Sequence, residues 1–250
     1  MSISLDEAVE LTRTGDVWVF RGRSVPDRAI QFTTNSPVNH VGMAVVLDDM
    51  PPLMWHAELG RSLPDLWSGT HHRGVQLHDL RDAVCVWANR YGQRAWLRQL
   101  DPPADGEMEQ AVLRTIARLD GTPFPSTAQL AWRWVRGRVP ALPRPGRLPA
   151  LPQLGRLSAL ARLGHPTDRA NQTDRANPVG SARSARERDR ALETAYCAEV
   201  VAVTYEAMGL LPAGRRPNWY DPGRFWSGDD LGLGADARLG SEIEVRVPPR

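Results

Sequence analysis

Cys197 and His40 are the side chains in this 250-residue chain whose types and settings best suit a nucleophile and its base. Cys197 falls near the start of the run ALETAYCAEVVAVTYEAMGLL, Ala191 to Leu211, which reads as a helix closing at Gly209. A thiol in the first turn of a helix lies against aligned N–H groups and the positive end of the helix dipole. Both favour the nucleophilic thiolate, and the same N–H groups can stabilise an oxyanion. A reactive thiol also needs a base, and the base needs a group that orients it. The histidines are residues 40, 56, 71, 72, 78 and 165. His40 stands near the start of one apolar run and His56 in the middle of the next. If those runs are paired strands, both imidazoles can share one face, with the Cys197 helix packed against it. The chemistry would be attack on a carbonyl through an acyl-enzyme. Residue type alone argues less: a lone Cys among apolar neighbours is more often core, and a strand His is more often a satisfied structural group.

The other reactive residues carry weaker signals. Cys85 sits in an apolar stretch and reads as inert core, or else as a second thiol near the site. His71, His72 and His78 invite comparison with a metal cluster, but their segment lacks an ordered pattern of Cys, His and carboxylate ligands, so no metal and no cofactor are expected. Every basic residue is Arg, which excludes a Schiff base or a lysine general base. Trp67, Trp219 and Trp226 lie in turn-rich segments and could border a groove.

Elements that would position these residues can be read from periodicity. Residues 4–13 suggest a short helix capped by Ser4 or Asp6, with Ala8, Val9 and Leu11 inward. Gly15-Asp16 breaks it. Strands are expected at Val17–Phe20, Val38–Leu47, Leu53–Leu59, Gly74–Leu77 and Cys85–Ala88, making a curled antiparallel sheet. Asp48 to Pro52 suits a compact link between the second and third strands. Glu107–Leu119 reads as an amphipathic helix with Met108, Ala111, Val112, Thr115, Ile116 and Leu119 on one face, and Gln129–Val135 as a helical turn. Ser241–Val247 is expected as a closing strand.

Between these parts the composition changes. From Arg133 to Arg190 there are thirteen Arg against four acidic residues, so the net charge of +2 and the pI of 8.8 reflect this stretch and not a basic domain. Residues 136–186 combine dense Pro with Arg and Leu and a small repeat, Thr167-Asp-Arg-Ala-Asn and Thr173-Asp-Arg-Ala-Asn. Pro at that density stops helix and sheet. The segment reads as a mostly disordered insertion in one domain made of 1–135 and 187–250. Interleaved Leu and Arg from Val139 to Leu163 also suit a tether to an anionic membrane surface. No stacking or groove-reading motif accompanies the charge, so nucleic acid is not an expected partner. The N-terminal residues do not form a signal peptide and no stretch of about 18 apolar residues occurs, so a cytoplasmic location is expected.

Several short motifs occur in a telling order. Gly15-Asp16-Val17, then Asn39-His40-Val41-Gly42-Met43, then His56-Ala57, resemble the opening of the circularly permuted NlpC/P60 superfamily, which includes YiiX-like and lecithin:retinol acyltransferase-like enzymes. Tyr196-Cys197-Ala198-Glu199-Val200-Val201 resembles its Tyr-Cys-Ser-Glu-Leu-Val element, Asp120-Gly-Thr-Pro-Phe124 the end of its intervening helix, and Tyr220-Asp-Pro-Gly-Arg-Phe225 its later Pro-rich step. The resemblance covers roughly residues 14–125 and 190–250. It implies an α+β, permuted papain-like fold with a curled antiparallel sheet packed against helices. It further implies Cys197 as nucleophile and His40 as base. His56 would be the orienting third residue, with Glu58 as the alternative. Tyr196 would line the substrate pocket or else fill the core, and Glu199 would be structural. The implied substrates are amides or esters of a peptide, a peptidoglycan stem or a lipid, cleaved or transferred. A catalytically inactive binding module of the same fold is the rival expectation.

Overall fold

The computed structural model describes residues 2–22, 36–122, 197–213, 219–228 and 231–249. The expected insertion, Tyr196, Gln129–Val135 and His165 lie outside them. The described strands are β1 (Ser2–Ser4), β2 (Val17–Arg21), β3 (His40–Val45), β4 (Leu53–Glu58), β5 (Gly74–Asp79), β6 (Arg94–Arg98), β7 (Leu100–Asp101), β8 (Arg238–Leu239) and β9 (Ile243–Arg246). The described helices are α1 (Leu5–Leu11), α2 (Leu80–Tyr91), α3 (Gly106–Leu119), a helical stretch over 197–207 that we call α4, and a short 3₁₀ helix at Pro222–Phe225. The class is α+β, as expected. The main sheet has seven strands in the order β1-β9-β6-β2-β3-β4-β5, and β7 and β8 form a separate pair. It is mixed and not purely antiparallel, because β1 runs parallel to β9, with Ile3 opposite Val245.

Local chemistry accounts for most elements. Ser4 caps α1 by accepting from the Glu7 N–H (3.2 Å). Only Leu5 and Ala8 of that helix are buried; Leu11, expected inward, is exposed. The expected strand at Cys85–Ala88 is instead the middle of α2. The Asp79 side chain accepts from the Asp82 N–H at its start, and Gly92 ends it in the left-handed conformation (φ 64°). Leu80, Ala83, Val84 and Trp87 then fall on one buried side at helical spacing, which a strand of the same residues could not do. In α3 the predicted face is buried at Ala111, Val112, Thr115 and Ile116.

Gly15-Asp16 does more than break a helix. Gly15 has φ +90°, and a Cβ there would press into the Leu100 side chain at 2.9 Å. Its carbonyl accepts the Tyr205 hydroxyl proton at 2.6 Å. The Asp16 carboxylate accepts the backbone N–H groups of Leu100 and Arg13, each at 2.8 Å, and its own carbonyl accepts from Ala44 N–H at 2.8 Å. Burial pushes the Asp16 carboxyl up to about 6, against the pull of these two donors and of Arg13. Asp16→Ala is expected to cost about 2–4 kcal/mol, since it leaves two N–H donors without their acceptor. Urea unfolding should show it as a lower midpoint with unchanged slope; a change under about 0.5 kcal/mol would show that water replaces the carboxylate.

The two faces of the sheet carry separate cores. On one face Trp18, Phe20, Ala44 and Met54 pack with Leu80, Val84 and Trp87 of α2 and with Leu5 and Ala8 of α1. On the other Val17, Val19, Val41, Met43, Trp55 and Leu77 pack with α3 and α4. Arg98 ties the C-terminal segment to the sheet, donating to the carbonyls of Gly240 (2.7 Å), Phe225 (2.6 Å) and Leu239 (3.0 Å).

Candidate functional site

Strand alternation decides which side chains can meet. In β3, His40 and Gly42 share the α2 face, while Val41 and Met43 turn to the other. In β4, Met54, His56 and Glu58 share the α2 face; β5 sets Gln76 opposite His56 and His78 opposite Met54, so both join it. Gly42 makes room: a Cβ there would overlap the Met54 sulfur and come within 3.3 Å of His56 Cβ. Upstream of His40, Asn39 Oδ1 accepts from Gly22 N–H at 2.7 Å and Asn39 N–H donates to Phe20 at 2.9 Å, which holds the start of β3 in register.

The result is a row of three imidazoles. His40 Nε2 lies 3.3 Å from His56 Nδ1, His56 Nε2 lies 3.0 Å from His78 Nδ1, and His78 Nε2 lies 3.1 Å from Gln76 Oε1. Gln76 Nε2 donates to the His72 carbonyl, which settles its amide orientation and turns Oε1 toward His78. The tautomers then follow in sequence. His78 carries its proton on Nε2 and accepts at Nδ1; His56 must donate from Nε2 and accept at Nδ1; His40 must donate from Nε2. His40 Nδ1 is the ring nitrogen left over, with a lone pair.

Trp87 roofs the row. Its ring meets those of His40 (4.7 Å between centroids), His56 (4.8 Å) and Phe20 (4.7 Å) edge to face. Burial is the largest influence on all three imidazoles. It takes His40 down to about 3, helped by the nearby His78. It takes His56 well below the usual range, helped by His78 and His40. It takes His78 down to about 4, although Asp65 pulls the other way. The row is therefore neutral at ordinary pH. Glu58 is held differently. Its two oxygens accept from Ser62 N–H (3.3 Å) and the Ser62 hydroxyl (2.5 Å). Burial raises its pKa, and hydrogen bonds from Ser62, Trp87 and Arg61 pull it back.

Against expectation, then, the structure joins some residues and separates others. His40 and His56 are hydrogen-bonded, whereas the Glu58 carboxylate is engaged by Ser62. His78 turns into the row while His71 and His72 stay near enough to lower its pKa, and the His72 ring lies 3.3 Å from the Val75 carbonyl. Cys197 is not brought to His40. It is buried in the cluster of Val41, Met43 and Trp55, on the opposite face of the sheet. The reason is parity. α4 is held over the Trp55 face by the bond from Trp55 Nε1 to Thr204 Oγ1 (3.1 Å), and His56, the next residue, must point away. The residues preceding Cys197 lie outside the described ones, and so does the expectation that Cys197 falls in the first turn of its helix. Cys85 is buried in α2, and neither cysteine is disulfide-bonded. Trp67 is exposed, while Trp226 packs edge to face on Trp96. Sequence reading missed Gln76 and Trp87. The alternation of Gln76 and His78 on one strand was the available signal for the first.

The three acidic and imidazole side chains His56, Glu58 and His78 also present ligand atoms within 4.8 Å of one another, all buried. Among the described residues no helix is long and apolar enough to cross a membrane.

No family model matches the chain, and no curated protein matches it. Among solved structures, the chain is similar to the metalloprotein yiiX from Escherichia coli O157:H7, at 22% identity and a TM-score of 0.35. The match covers 46% of this chain and 54% of that one, so it spans about half the length of the protein it resembles.

Proposed function

We propose that this chain is a thiol-dependent hydrolase or acyltransferase on a circularly permuted papain-like fold, acting on an amide or ester of a peptide, a peptidoglycan stem or a lipid. The observation that carries the reading is the bond from His40 to His56, inside a row that holds a single tautomer and leaves His40 Nδ1 with a lone pair. A base oriented by a second polar side chain is what thiol catalysis requires. In this reading Cys197 gives its proton to His40 Nδ1 and its sulfur attacks the carbonyl carbon. The tetrahedral intermediate collapses, and the departing amine or alkoxide takes the proton from His40. Water or a second acceptor, deprotonated by the same nitrogen, then breaks the thioester and restores the thiol. The insertion at 136–186 serves as a tether to an anionic membrane surface, and the setting is the cytoplasm.

This chemistry requires the thiol and His40 Nδ1 to meet. His40 is the first residue of β3, and Val38, two residues before it, packs with the Cys197 cluster. A second reading is favoured by the burial of Cys197 on the far face: a binding module in which the imidazole row is a polar core and no turnover occurs.

The pH dependence of Cys197 alkylation by iodoacetamide, compared between a Cys85→Ala protein and the same protein with His40→Ala, separates the two. The thiol reading expects rapid labelling well below the ordinary thiol value of about 8.5, slowed by at least about 10-fold in His40→Ala. Labelling that follows an ordinary thiol in both, or none in the folded protein, overturns it in favour of the binding module.

A further inference from the structure

The inner part of the row has a geometry that hydrogen bonding alone does not use. His56 Nε2 and His78 Nδ1 face each other at 3.0 Å, and a Glu58 oxygen lies with them inside a 4.8 Å group. These come from two neighbouring strands, β4 and β5, whose antiparallel register places Met54 opposite His78 and His56 opposite Gln76. All three side chains are buried.

We propose that His56 Nε2, His78 Nδ1 and a Glu58 carboxylate oxygen form a site for a divalent transition ion of the zinc type. Two imidazoles and one carboxylate are a donor set that zinc accepts, with a fourth position left for water. Two nitrogens bound to one tetrahedral zinc, each at about 2.0–2.1 Å, stand about 3.3 Å apart. The pair here needs to open by only a few tenths of an ångström from its 3.0 Å separation.

The outer partners are in place as well. A metal-bound imidazole must donate from its other nitrogen to an acceptor. For His78 that acceptor is Gln76 Oε1, at 3.1 Å from Nε2, and its orientation is settled by the Gln76 bond to the His72 carbonyl. For His56 it is His40 Nε2, at 3.3 Å from Nδ1. Glu58 is braced by Ser62, and the ion would replace one of the donors that its oxygens now accept. Binding would shift the protons of His56 and His40 to their Nδ1 atoms. A bound ion would therefore put a proton on the His40 Nδ1 lone pair that the proposed thiol chemistry asks for, by reversing the row. The ion-binding inference does not depend on that chemistry, since none of its ligands is a cysteine.

The test uses the full chain with Cys85→Ala and Cys197→Ala, so that no thiolate can hold the metal. Apo protein prepared with a chelator is titrated with Co²⁺ and followed by visible absorption and by thermal unfolding. Saturable ligand-field bands of four-coordinate Co²⁺, displaced by Zn²⁺, with a higher unfolding temperature, are expected. His78→Ala should weaken binding by at least about 100-fold, and Glu58→Gln, which keeps shape and most hydrogen bonds, by about 10–100-fold. If His78→Ala does not fold, Glu58→Gln alone decides. Octahedral-type weak spectra, no saturable binding, or binding unchanged in Glu58→Gln would overturn the site, whatever the alkylation experiment shows.

Discussion

Trp87→Ala lowers the stability of this protein by about 3–5 kcal/mol, the cost of emptying a buried tryptophan position, and lowers the unfolding temperature by roughly 10 °C. The size follows from what the ring touches. It packs edge to face on Phe20, His40 and His56 and is itself buried. Its indole N–H also faces Glu58 and helps to lower that carboxyl's pKa against the burial that raises it. Trp87→Phe separates the two contributions. It keeps most of the apolar contact and loses only the donor, so about 1–2 kcal/mol is expected. Chemical denaturation of the two variants checks both values. Equal losses in Phe and Ala would mean that the hydrogen bond to Glu58, and not packing over the imidazole row, is the main support.

Under the proposed thiol chemistry, His40→Ala is expected to lower kcat on an acyl ester probe by about 10²–10⁴-fold, the usual contribution of a general base. His56→Ala lowers it by about 10²-fold through misplacement and loss of the preferred tautomer of His40. His56→Asn restores part of the loss, because its amide oxygen can accept from His40 Nε2. Rescue by Asn is the informative arm, since a residue that merely fills space would be replaced as well by Leu. Full activity in His56→Leu would remove His56 from the positioning role. Activity retained in Cys197→Ala would remove the thiol itself.

Much of the sheet was legible because its strands are short apolar runs, two of them rich in Val, with clear breakers. Val17–Phe20, Val38–Leu47 and Leu53–Leu59 each contain an observed strand or most of one. α2 was misread because CVWA, four apolar residues in a row, fits a buried strand or a buried helix equally well. The signals that decide it, Asp79 at one end and Gly92 at the other, lie at the flanks. The pairing of His40 with His56 needed only that β3 and β4 be neighbours. The inclusion of His78 needed the register between β4 and β5, and the long connection from Gly60 to Arg73 does not encode that register locally. The face on which Cys197 lies was not legible at all. Both faces of β3 and β4 bury their residues, so polarity does not mark a side for α4. The deciding contact, Trp55 with Thr204, joins residues 149 apart.

The parallel pairing of β1 with β9 has a mechanical meaning. Ser2–Ser4 and Glu244–Arg246 lie side by side and run the same way, near opposite ends of the chain. A force pulling Ser2 and Arg246 apart along the strands would draw them past each other lengthwise, so the hydrogen bonds of the ladder would bear the load together and not one after another. Tension applied between Ser2 and Arg246 is resisted in shear at the sheet edge. A pull on β4 against β5 through the connection at 60–73 would open that antiparallel pair like a zipper, and would reach the imidazole row first.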